Sequence, residues 1–152
     1  MDNQNNAAHS TANIYNPLIE AAKPVFILVN AMQQTTSQLS TDSLINKFSL
    51  LINNFEENAE KNGARYDAIQ AAKYCLCTFV DELAVRAGWA DETWSKNSLL
   101  VSFYDETWGG ERFFEIIQNL KQDPDKNIDL LEFMYLCLQF GYKGKYQVLN
   151  SG

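Results

Sequence analysis

A chain of 152 residues that is 46% hydrophobic and 12% aromatic has the size and composition of one domain with a substantial core. Its net charge of −7 excludes nucleic acid as a natural partner, because binding a phosphate backbone needs a basic footprint. Residues 1–152 contain no apolar run of about 18 residues and no basic segment leading into an apolar stretch, so neither a membrane span nor a signal peptide is read among them.

Residues 1–13 are mostly Asn, Gln, Ala, Ser and Thr with no apolar period, and they read as a flexible tail ahead of a single all-helical domain over 14–150. Asn16-Pro17 is a helix cap followed by proline at the first helical position, and Pro24 is expected to kink or restart that helix, whose apolar residues continue to Met32. Thr41 is expected to cap a second helix, with Leu44, Ile45, Phe48, Leu51, Ile52, Phe55 and Ala59 on one stripe and Gly63 at its end. The third helix, about 64–87, gathers Ile69, Ala72, Leu76, Phe79, Val80, Leu83 and Ala87 near one meridian. It also carries Tyr74, Cys77 and Val85 opposite, so it is expected to touch protein on both sides. Gly88 ends it, Asp91 opens a short helix to Asn97, and a further short helix covers 98–103.

Gly109-Gly110 breaks the chain before a helix bearing Phe113, Phe114, Ile116, Ile117 and Leu120, which stops near Pro124. The last helix, Ile128 to Phe140, is apolar nearly all round, with Glu132 and Gln139 as its polar edge, and is expected to be the central strut. No strand alternation, internal repeat or dividing linker appears. The fold class is therefore all-α, with six to eight helices.

Several chemistries can be weighed from residue types. Glu56-Glu57-Asn58-Ala59-Glu60 resembles half of the magnesium site of an all-α nucleotide hydrolase, a rival reading of another class. The second half, Glu-x-x-Asp, is missing, since Val85 stands three residues after Glu82. The single histidine, His9, lies in the tail, so di-iron, Ser-His-Asp and Cys-His sites all lack a member. Cys75 and Cys77 point about 200° apart on a helix and read, with Cys137, as small buried hydrophobes. Gly109-Gly110-Glu111 lacks the Gly-Lys-Ser/Thr of a phosphate loop. No catalytic residue, metal site or cofactor is expected.

Acidity is concentrated instead. Between Asp81 and Glu111, the seven carboxylates Asp81, Glu82, Asp91, Glu92, Asp105, Glu106 and Glu111 face only Arg86 and Lys96, a local net of −5. Glu82 has Arg86 four residues on, whereas Asp81 has Cys77 and Val85 at the equivalent positions. A carboxylate with no cation on its own helix, beside semi-apolar surface, is either bonded to a neighbouring helix end or set in a groove for a partner.

The block from Ser98 to Phe114, with Glu106-Thr107-Trp108-Gly109-Gly110-Glu111-Arg112-Phe113-Phe114 at its end, joins three other runs in a fixed order. These are Ala72 to Glu82 with Trp89, Asp129 to Phe140, and Gly141-Tyr-Lys-Gly-Lys-Tyr146. In that order and spacing they resemble the cytoplasmic domain of the DotU/TssL (IcmH) family, over about residues 16–146. The resemblance implies two small helical bundles with a cleft between them, and a scaffold of the bacterial type VI secretion system that docks the cytoplasmic baseplate to the inner-membrane complex. A type IVB accessory homologue is the alternative within the family.

The partners so implied are a TssM/IcmF-like inner-membrane protein, an outer-membrane lipoprotein, baseplate components such as TssK and TssE-like proteins, and a second copy in a weak homodimer. The domain would face the cytoplasm, held by a C-terminal membrane-spanning helix beyond residue 152. Asp81, Glu82, Asp105 and Glu106 are the expected partner-binding acidic face. Trp108, Gly109, Gly110, Glu111, Arg112, Phe113 and Phe114 are the expected architectural motif, with Trp108 packing the turn against the core. Many family members carry His where this chain has Tyr104, which weakens any titrating or metal-binding role there.

Overall fold

The computed structural model describes residues 15–34 and 40–141. The expected N-terminal tail and the run after Gly141 lie outside the described residues. Within them are seven helices and no strand: α1 (Pro17–Gln34), α2 (Thr41–Lys61), α3 (Tyr66–Ala87), α4 (Glu92–Asn97), α5 (Leu99–Tyr104), α6 (Gly110–Leu120) and α7 (Ile128–Gln139).

Local chemistry sets most of the boundaries. The buried Asn16 side chain accepts from the Leu18 and Ile19 amides at 2.9 and 3.1 Å and donates to the Asp129 carbonyl at 2.8 Å, so one residue both caps α1 and fixes it to α7. Helix α1 continues through Pro24 without restarting. Ser40, not Thr41, caps α2 by accepting from the Ser43 amide at 3.2 Å. Thr41 instead donates to Asp91 at 2.8 Å, tying the start of α2 to the cap of α4. Asp91 and Ser98 cap α4 and α5 through the Trp94 and Val101 amides. Gly88, at φ 81°, closes α3 in the left-handed conformation that glycine adopts without steric cost.

Helices α1, α2, α3 and α7 form one bundle; beside it, as a second and smaller group, α5 and α6 each pack on α3, α4 packs on α2 and α5, and α6 also reaches α7. An aromatic knot joins the first: Phe26 of α1 lies 5.4 Å from Phe79 of α3, 6.1 Å from Phe133 of α7 and 4.9 Å from Phe140, ring centre to ring centre. Phe48 of α2 meets the Trp94 ring edge-on at 6.3 Å and so connects the second. The central strut is α3, not α7. Tyr74 to Val80 are buried without interruption, because α3 has neighbours on every side. In α7, by contrast, Ile128, Glu132, Tyr135 and Gln139 form an exposed stripe at helical spacing.

Candidate partner-binding cleft

A cleft of about 500 Å³ runs along the outer part of α3, between the α4–α5 pair and the turn leading into α6. Its α3 wall is Thr78, Asp81, Glu82, Val85 and Arg86, and the opposite side includes Trp94, Leu100, Trp108 and Gly109. Two large apolar side chains stand open in it, Val85 at 65% and Trp108 at 49% exposure. The wall thus combines unpartnered apolar surface with two carboxylates and one guanidinium.

Asp81 takes the first of the two alternatives open to it, a bond to a neighbouring helix end. Its Oδ1 accepts from the Leu99 amide at 3.0 Å and the Trp94 indole at 3.1 Å, and its Oδ2 accepts from the Leu100 amide at 2.9 Å. It therefore supplies the start of α5 with acceptors while also lining the cleft. Burial pushes its carboxyl above the usual range, and the three donors oppose that rise without cancelling it. Glu82 pairs with Arg86 at 3.3 Å, and Arg86 also donates to the Gly141 carbonyl just past α7. The cleft wall and the end of the last helix are joined at that one side chain.

Asp105 and Glu106 do not line the cleft. Asp105, at φ 56°, is the left-handed cap that ends α5, a conformation its short polar side chain tolerates. Glu106 accepts from the Tyr74 hydroxyl at 2.6 Å and from Arg112 at 3.3 Å, while the Arg112 guanidinium covers the Tyr74 ring at 4.6 Å. Burial, then the Glu106 carboxylate, push the Tyr74 hydroxyl up to about 12. The four acidic residues thus divide into a cleft pair and a pair that closes the turn.

The glycine motif serves close approach. A Cβ on Gly109 would sit 2.3 Å from the Thr78 hydroxyl oxygen, so only glycine lets the turn lie against α3. A Cβ on Gly110 would sit 2.5 Å from the Trp108 ring, because that ring folds back over its own turn. Trp108 is consequently a half-exposed cleft wall set on its own turn, where the sequence predicts it to pack that turn against the core. Glu111 lies in the first turn of α6, where its charge suits the positive helix end. Phe113 and Phe114 fill the core beneath, 5.5 Å apart.

Glu56, the leading residue of the hydrolase-like run, accepts from Gln70 at 2.5 Å and Lys73 at 3.1 Å in a bond between α2 and α3. Among the described residues no three acidic, histidine or cysteine side chains group as metal ligands. Sequence reasoning missed Val85 and Arg86 as cleft residues. The sequence sets Val85 one turn from the acidic pair on a side expected to touch protein, but in the fold it stands exposed.

No curated protein matches the chain. Among solved structures it is similar to TssL from Vibrio cholerae, with 34% identity over 88% of this chain and 85% of that one and a TM-score of 0.77. The cytoplasmic domain of TssL from Acinetobacter baumannii shares 27% identity over 88% and 86%, with a TM-score of 0.80. SciP/TssL from enteroaggregative Escherichia coli 042 shares the fold, with 19% identity over 84% and 75% and a TM-score of 0.75. Residues 17–152 match the family described as type VI secretion system protein DotU. With residues 17–152 matched by the family and nearly its whole described length aligned to a relative of 34% identity, the chain belongs to the DotU family of type VI secretion system proteins.

Proposed function

We propose that this chain is a non-enzymatic scaffold on the cytoplasmic side of a type VI secretion membrane complex, and that it docks baseplate components of the TssK or TssE kind through the α3 cleft. A TssM/IcmF-like protein would hold it at the inner membrane. The observation that carries this reading is the cleft itself: Val85 and Trp108 stand exposed beside Asp81 and Glu82, the combination that fits a partner element with apolar and basic side chains. Family membership supports the setting.

The test separates docking from folding. Val85→Arg with Trp108→Ala changes two exposed side chains and leaves the Asp81 bonds alone. The double variant should keep its helical spectrum and melting temperature while losing most baseplate recruitment in a pull-down from secreting cells. Recruitment at the unmodified level, in a folded variant, places the partner surface elsewhere and defeats the proposal.

A further inference from the structure

Trp108 stands half exposed on the cleft wall, yet it belongs to a span, residues 105–109, that joins α5 to α6 outside any helix. Contact with α3 holds it in place. Two residues before it, Glu106 accepts from the Tyr74 hydroxyl at 2.6 Å. One residue after it, Gly109 lies so close that a Cβ would sit 3.1 Å from the same hydroxyl oxygen. The backbone of Trp108 is therefore held on both sides at a single atom. Arg112, in the first turn of α6, donates to Glu106 at 3.3 Å and covers the Tyr74 ring at 4.6 Å, which closes the clamp. Tyr74 is only 4% exposed within the buried run of α3, and neither it nor Glu106 nor Arg112 lines the cleft.

From this geometry we infer that Tyr74 is a positioning residue for docking: its hydroxyl, seated between Glu106 and Gly109, fixes the Trp108 indole in the orientation a partner meets. The inference rests on the α3 cleft being a docking groove, as proposed above, and adds the device that keeps one wall of it ready. A wall already ordered needs no ordering when the partner arrives, so the clamp contributes to affinity without touching the partner.

Fluorine NMR of the full chain, grown with fluorinated tryptophan, reads the indole directly. The chain has three tryptophans, so Trp108→Phe assigns the Trp108 line, and the fully buried Trp94 serves as an internal reference. Tyr74→Phe keeps the ring under Arg112 and removes only the hydroxyl. Glu106 is half exposed, so water takes the freed position and the chain should stay folded. In this variant the Trp108 line should move or broaden while the Trp94 line stays. Glu106→Gln retains an acceptor and should hold the Trp108 line near its original position, whereas Glu106→Leu should reproduce Tyr74→Phe. Baseplate recruitment in the pull-down should fall about fivefold in Tyr74→Phe and Glu106→Leu and be kept by Glu106→Gln. A Trp108 line unmoved by Tyr74→Phe overturns the inference. So does a Trp94 line that shifts with it, since the change is then a general loosening of the core. Recruitment kept in Tyr74→Phe but lost in Val85→Arg with Trp108→Ala overturns the inference and leaves the groove standing; recruitment kept in both defeats the groove and the inference with it.

Discussion

The Asp81 carboxylate takes three donors from two short helices, and two of them are amides at the start of α5, where a helix offers its own N–H groups no acceptor. Asp81→Ala leaves the Leu99 and Leu100 amides and the Trp94 indole without this partner and should cost about 3 kcal/mol in urea unfolding. Asp81→Asn keeps the acceptor facing Leu99 and Trp94 but turns an amide toward the Leu100 N–H, and should cost about 1 kcal/mol. The pH dependence has a definite sign. A raised native pKa means the folded chain holds this proton more tightly than the unfolded one, so the associated stability is full below the ordinary carboxylate range and is lost as pH rises through the raised value. Asp81→Asn should flatten that decline in unfolding midpoints measured from about pH 4 to 7. Asp81's partners lie 13 to 19 residues away in sequence, which is why the chain alone left two roles open.

Tyr74 offers an alkaline counterpart. Its hydroxyl, donated to Glu106, is pushed from 10.0 up to about 12, so the bond's contribution persists through pH 10 and is lost on approach to 12. Tyr74→Phe should remove that loss, read as a flatter stability profile above about pH 10 in thermal melts.

Among the elements, the turn into α6 is fitted to α3 by missing atoms. Gly109→Ala drives a methyl group into Thr78 and should destabilise by about 2 kcal/mol. Thr78→Ala removes the obstructing hydroxyl and methyl, so the double variant should be more stable than the sum of the singles, a coupling that chemical denaturation of all four proteins would read. Caps were largely legible: Asn16, Asp91 and Gly88 act where their local chemistry places them, whereas Ser98, read as the first residue of its helix, is the cap before it. Two elements were not. The apolarity of α7 measures what a helix is able to bury, not how many neighbours it has, and Ile128 and Tyr135 remain exposed. Trp108 beside two glycines reads as packing the turn against the core, but the missing Cβ of Gly110 gives the ring a place on its own turn, where it stays half exposed.

For the whole molecule, one connected core runs through all seven helices, so heating should give a single cooperative transition rather than one per bundle. Calorimetric and van't Hoff enthalpies that agree would confirm it. The all-α class, the short connections and the acidic stretch were readable because period, caps and charge are written locally. The cleft came only through the family resemblance and not from the residues' own pattern, since it is formed by residues from α3, α4, α5 and the turn before α6 that only packing brings face to face.

The uninterrupted burial of Tyr74 to Val80 has a consequence for how the gene tolerates change. In α2, whose buried positions recur at helical spacing, a saturation library should show tolerance rising and falling with each turn. Along α3 the same library should show seven adjacent codons that reject charged residues, a plateau with no periodic relief. Among the described residues, that window should have the least freedom to diverge.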